Sequence, residues 1–120
     1  MKDFPIYTTA VLGAAATYTS VWKRVRYIPA STFQTVPHSF DWSEYIHGIV
    51  FSDVAGTLWI DHSNDSTTVH WQESFAVGAG LAGALAYNRP LYGAFFRLRY
   101  VNGAAPQTAF SLSGILSGAQ

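Results

Sequence analysis

Apolar and polar residues alternate with a period of two along most of this chain. Val69, Trp71 and Phe75 alternate with His70, Gln72 and Ser74, and Phe96, Leu98 and Tyr100 alternate with Arg97 and Arg99. Leu58 and Ile60 are set between Thr57, Trp59 and Asp61, and Thr108, Phe110 and Leu112 between Ala109, Ser111 and Ser113. Val21, Val25 and Tyr27 alternate with Arg24 and Arg26, and residues 45–51 form an aromatic and β-branched run. A period of two sends successive side chains to opposite faces of a strand. No segment keeps the apolar stripe at i, i+3, i+4 and i+7 that a packed helix needs. Residues 81–86 could form a turn of helix, but glycines at 78, 80 and 83 argue for a loop or an irregular strand.

Breakers divide these runs. Ser52-Asp53 and Ala55-Gly56 separate strands at 45–52 and 57–62, and the cluster Ser63-Asn64-Asp65-Ser66 joins 57–62 to 67–75 as an antiparallel hairpin. Asn102-Gly103 is a hairpin signal, lengthened by Ala104, Ala105 and Pro106, so strands at 94–101 and 107–113 are expected to pair. Seven or eight short strands in 120 residues, without a repeat or a linker, read as one antiparallel β-sandwich over 1–120, jelly-roll-like.

Charge is scarce. Charged residues make up 12% of the chain against roughly a quarter in an average soluble domain. Fourteen charged side chains cannot cover the surface of a domain this size, which points to surface covered by other protein. Seven basic and seven acidic residues cancel, arguing against a freestanding nucleic-acid binder. Aromatics at 16% exclude a disordered chain, and the absence of cysteine excludes a disulfide scaffold. Residues 4–22, 74–88 and 100–120 contain no charged side chain, so the terminal segments, about 1–15 and 114–120, are expected to be available for intersubunit contacts. The N-terminus does not read as a secretory signal, since its apolar core spans only 10–16 and Pro5 interrupts it. No stretch reads as a membrane span.

The charges that do occur are segregated. Lys23, Arg24 and Arg26 precede an acidic block of Asp41, Glu44, Asp53, Asp61, Asp65 and Glu73, and Arg89, Arg97 and Arg99 follow it. Either strands from the two regions pair and set opposite charges across from each other, or acidic and basic patches meet between copies.

No arrangement assembles a catalytic motif. Asp61, Ser63 and Asp65 carry oxygens at i, i+2 and i+4, a pattern that suits calcium but more often makes a turn. His62 and His70 could face each other across the hairpin, but a third ligand is wanting for zinc. Asp61 and Glu73 could imitate a glycosidase pair, as any hairpin can. The expectation is no catalytic, cofactor or metal residue. Of the four tryptophans, Trp71 falls on the apolar phase and reads as core, whereas Trp59 falls on the polar phase and reads as exposed. An exposed tryptophan is a sugar-stacking platform or an interface anchor.

The stretch from Ser52 through Val54, Gly56, Leu58 and Ile60, with Ser63, Asp65 and Trp71, and the stretch Arg97-Leu98-Arg99-Tyr100-Val101-Asn102-Gly103-Ala104, with Gln107, Thr108 and Phe110, together resemble small β-sandwich virion proteins of tailed double-stranded DNA phages, of the head decoration or cement type. The likeness covers most of 10–116, with 13–20 as an opening strand. It departs where such domains often carry Asp-Gly, since Asp65 is followed by Ser66. The resemblance implies a structural virion protein made in the host cytoplasm and placed on the capsid surface. There it would bind the major capsid protein or another virion protein, as a homo-oligomer such as a trimer, without nucleic acid, membrane or cofactor. Interface candidates are Trp22, Trp42, Trp59, Arg97 and Arg99. The alternatives are a carbohydrate-binding, lectin-like module using Trp59 and Trp42, and a tail or baseplate component of the same fold.

Overall fold

The computed structural model describes residues 6–25 and 44–118. Trp42 lies outside them. Among the described residues nine strands form two antiparallel sheets: β1 (Ile6–Thr8), β2 (Thr17–Thr19), β3 (Lys23–Arg24), β4 (Glu44–Ser52), β5 (Gly56–Ser63), β6 (Trp71–Val77), β7 (Leu85–Leu91), β8 (Phe95–Asn102) and β9 (Phe110–Gly118). The first sheet runs β1-β9-β4-β7 and the second β2-β8-β5-β6, with β3 also on β8. The chain is therefore an all-β sandwich. Its core lies where the alternation predicts, between Ile46, Val50 and Leu112 of one sheet and Leu58, Ile60, Phe96, Leu98 and Tyr100 of the other. The Tyr100 and Phe110 rings meet across the gap, centroids 4.9 Å apart.

The β5–β6 hairpin forms as expected, with His62 opposite Trp71 and Gly56 opposite Val77. Its turn is built by local hydrogen bonds. Ser63 Oγ accepts the Asp65 and Ser66 N–H groups, and Asp65 Oδ1 accepts from Thr67 and Thr68 N–H. Those amides, Thr68 first, and the Ser63 hydroxyl pull the Asp65 carboxyl down to about 2. Asp65 is thus a turn residue. Ser66 holds φ 61°, the left-handed conformation that glycine adopts without penalty. Ser66→Gly is expected to raise stability by up to about 1 kcal/mol, read as a higher urea midpoint at unchanged slope.

Three expectations need correction. β8 and β9 do not pair; they belong to different sheets. The connection between them crosses the sandwich edge because side chains hold it elsewhere. Asn102 Nδ2 donates to the Gly13 and Ala105 carbonyls (2.8 and 2.9 Å), and Gln107 exchanges hydrogen bonds with Leu12 and reaches Ser52 Oγ. Asp53 receives the Thr108 N–H and hydroxyl and the Ala109 N–H. Second, the segment near 81–86 is a short 3-10 turn, Leu81–Gly83, that leads directly into β7, a strand the glycines obscured. Gly78 and Gly83 pass so closely that a Cβ on Gly83 would collide with the Gly78 backbone. Third, the alternation over 21–27 yields only a two-residue strand among the described residues.

β4 sits between β9 and β7, and its ladder to β9 is interrupted around Gly48. His47 lies opposite Ile115 and Val50 opposite Leu112. Between them the Ser113 carbonyl accepts the Tyr87 hydroxyl (2.7 Å), and Ser113 Oγ takes the Ile49 N–H (3.1 Å). Gly48 leaves the room this carbonyl needs.

Candidate functional site

The outer face of the second sheet gathers four of the five interface candidates. In β8, Phe96, Leu98 and Tyr100 point into the core, so Arg97 and Arg99 point out. β5 lies alongside, with Trp59 opposite Arg99 and Asp61 opposite Arg97. Arg99 grips Asp61 with two nitrogens, Nε to Oδ2 and Nη2 to Oδ1, both at 3.0 Å. Arg97 Nε adds a third bond to Oδ2 at 2.8 Å. Arg99 Nη2 also donates to Gln72 Oε1 (3.2 Å). The Arg99 guanidinium carbon lies 4.9 Å from the Trp59 ring centre, and that of Arg97 lies 4.5 Å from Trp22. The result is a ladder, Trp22–Arg97–Asp61–Arg99–Trp59.

Trp22 arrives by a bulge. Thr19 lies opposite Arg99 and Lys23 opposite Phe96, so the chain advances four residues (23 − 19) against three on β8 (99 − 96). An extra residue of this kind bends a strand and re-aims its side chains. Ser20 bridges the gap, its N–H donating to the Leu98 carbonyl (2.9 Å) and its Oγ accepting the Leu98 N–H (3.0 Å).

Asp61 is the centre of the ladder and is 0% exposed. Burial alone would push its carboxyl up, but the hydrogen bonds and charges of Arg99 and Arg97 together outweigh burial, and it is held below the usual carboxylate range. Two guanidinium charges against one carboxylate leave a net +1. The arginines are partly exposed, fixed by their bonds and stacked on indoles. That combination, rigid Arg and Trp with little rotamer entropy left to lose, is the composition of interface hot spots. The Arg24 guanidinium also lies over a ring of this sheet, 5.0 Å from the centre of Phe95.

Asp61 was legible in sequence only as a turn, calcium or acid-pair candidate. Its partners come from β8, 36 and 38 residues away, and no local pattern announces that pairing. The acidic block and the later arginines thus meet within the chain: Asp61 with Arg97 and Arg99, Glu73 with Arg89. The other constellations separate. Asp61 lies opposite Gln72 while Glu73 lies opposite Ile60, which places the two acids on opposite faces. His62 turns inward toward Glu73, whereas His70 Nδ1 accepts the Asn64 N–H. Among the described residues no three His, Asp or Glu side chains gather as a metal site. Trp71, expected in the core, is 48% exposed, because it is the first residue of β6, an edge strand of its sheet.

These features define an antiparallel β-sandwich domain with a preorganised Trp–Arg face. The family model for the N-terminal domain of the uncharacterised protein YqxG matches residues 2–117, and the chain belongs to that family. Among solved structures, that of PBSX exported protein XepA is similar, with a TM-score of 0.70 at 21% identity over 98% of this chain; the two share the fold. This chain spans 38% of the length of that one. No curated protein matches it. Among the described residues no helix is long and apolar enough to cross a membrane.

Proposed function

We propose that this chain is a phage-associated structural protein and, in the narrowest form of the reading, a capsid decoration protein. The observation that carries the proposal is the ladder of two indoles and two guanidiniums fixed by one buried carboxylate. Such a face suits a protein surface that offers carboxylates to the guanidiniums and apolar groups to the indole edges. The shared fold with the PBSX exported protein XepA supports a phage setting, with a tail, baseplate or exported role as the broader alternative. The strand order adds support. With β2 and β3 counted as one bulged strand, early and late strands alternate in each sheet, which we read as jelly-roll winding, common among capsid and lectin domains. Homo-oligomerisation, for example as a trimer, would multiply weak contacts on a lattice.

The test is co-sedimentation with purified capsids of the cognate phage, followed by heating and low-salt challenge of the decorated particles. The chain is expected to bind and to raise capsid resistance. Trp22→Ala is expected to weaken binding by about 30-fold, the loss of a hot-spot aromatic. A chain that neither sediments with capsids nor protects them would overturn the decoration reading.

A further inference from the structure

A second cluster lies on the inward-phase face of the edge strand β6, at its Trp71 end. Trp71 is 48% exposed and Tyr92 65%. Their ring centres are 5.3 Å apart and their planes stand at 88°, forming a corner. Both rest on His62, which is buried, at 4.8 and 5.8 Å. Beneath the corner, Glu73 Oε1 accepts Arg89 Nε at 3.0 Å and Oε2 lies 3.4 Å from His62 Nε2. The Tyr92 N–H donates to His62 Nδ1 (3.5 Å), so Nε2 carries the ring proton toward Glu73. Burial holds His62 below its ordinary value despite that carboxylate, which keeps it neutral at pH 7. Arg89 is braced over the Phe75 ring, 5.8 Å from its centre.

We propose that this corner is a saccharide-binding site, with Trp71 and Tyr92 as ring platforms and Glu73 and Arg89 as hydroxyl partners. Two exposed rings offer flat apolar faces, and the Arg89–Glu73 pair beside them, solvent-reaching mainly through Arg89, offers fixed polar groups. In such a pair the carboxylate accepts from one hydroxyl and the guanidinium donates to its neighbour, which matches vicinal hydroxyls on a pyranose. A purely apolar partner would bury the Glu73–Arg89 pair without replacing its water, at a cost. A nucleic acid would find the arginine's charge already offset by Glu73. A proline-rich peptide could use the rings but has no use for paired donor and acceptor. The site is separate from the Trp–Arg face and does not depend on the decoration reading. It also moves sugar stacking away from Trp59, one of whose faces Arg99 occupies.

The experiment is titration of the full chain with cellohexaose, maltohexaose and chitohexaose, followed by tryptophan fluorescence and calorimetry. At least one is expected to bind saturably at about 1 mM or tighter. Trp71→Ala and Glu73→Gln are each expected to weaken it about tenfold, whereas Tyr7→Ala, on exposed β1, leaves it unchanged. Thermal melts establish that each variant is folded, and Tyr92→Ser replaces Trp71→Ala if the latter is not. Absence of saturable binding by all three sugars to about 10 mM overturns the proposal. So does binding that survives loss of both rings, or capture of a proline-rich peptide at Trp71 with no sugar bound.

Discussion

Asp61→Ala is expected to lower the stability of this domain by about 3 kcal/mol, a fall of roughly 10 °C in melting temperature. The carboxylate removed is fully buried and is the shared partner of Arg97 and Arg99. Without it, two guanidiniums stand side by side, partly desolvated and mutually repelling. The partial exposure of both arginines limits the cost, because water can reach them, and keeps the value at the lower end for a broken buried pair. Asp61→Asn keeps the shape and one oxygen acceptor, so it should lose about half as much. The pH dependence follows from the direction of the shift. Folded Asp61 titrates below the unfolded value of about 3.9, so its contribution is complete above that pH and is lost as pH falls through the folded value. Asp53, depressed first by the Thr108 hydroxyl in the β8–β9 connection, and Asp65, depressed by amides of its own turn, add to the same acid limb. Urea melts from pH 7 down to pH 2 should show a shallower acid limb in Asp61→Ala than in the parent chain. A loss below about 1 kcal/mol at pH 7 would mean that the ladder is a surface decoration rather than an organising element.

Gly48→Ala is expected to cost about 3 kcal/mol or to prevent folding. The added methyl would collide with the Ser113 carbonyl, a backbone atom that cannot swing aside. Moving that carbonyl would also break its hydrogen bond from Tyr87, itself buried between the sheets. The usual gain from replacing glycine, reduced freedom in the unfolded chain, is under about 1 kcal/mol and is too small to compensate. Chemical unfolding of Gly48→Ala measures it, and a variant as stable as the parent would refute the close-approach account. Gly80, in contrast, has an open surround and a φ of 75°, so substitution there meets backbone strain without a clash.

The alternation along β5 and β8 was enough to say which residues face out: Trp59, Asp61, Arg97 and Arg99 share the polar phase in both strands. It was not enough to say that they meet. That depends on β5 lying beside β8, a pairing closed over more than thirty residues and set by how both strands bury Leu58, Ile60, Leu98 and Tyr100. Trp22 was still less accessible, because a single extra residue before β3 shifts its phase, and a shift of one inverts a side chain's face. Trp71 shows the converse. Its phase is inward, as read, but its position at the strand end leaves it half exposed.

The scarcity of charge, the strand period and the turn chemistry at Ser63–Asp65 are local properties, and local physics determined them from the sequence alone. Strand existence, the β5–β6 hairpin and the inward set of side chains follow from neighbours a few residues apart. The tertiary structure alone decided which sheet receives each strand. It split β8 from β9 because Asn102, Gln107 and Asp53 hold the connection to other segments. It also brought Asp61 between two arginines and gathered Trp71, Tyr92, Glu73 and Arg89 at one corner. These are contacts between residues distant in sequence. Their free energy exists only once the chain has closed the intervening loops, so no window along the sequence contains it.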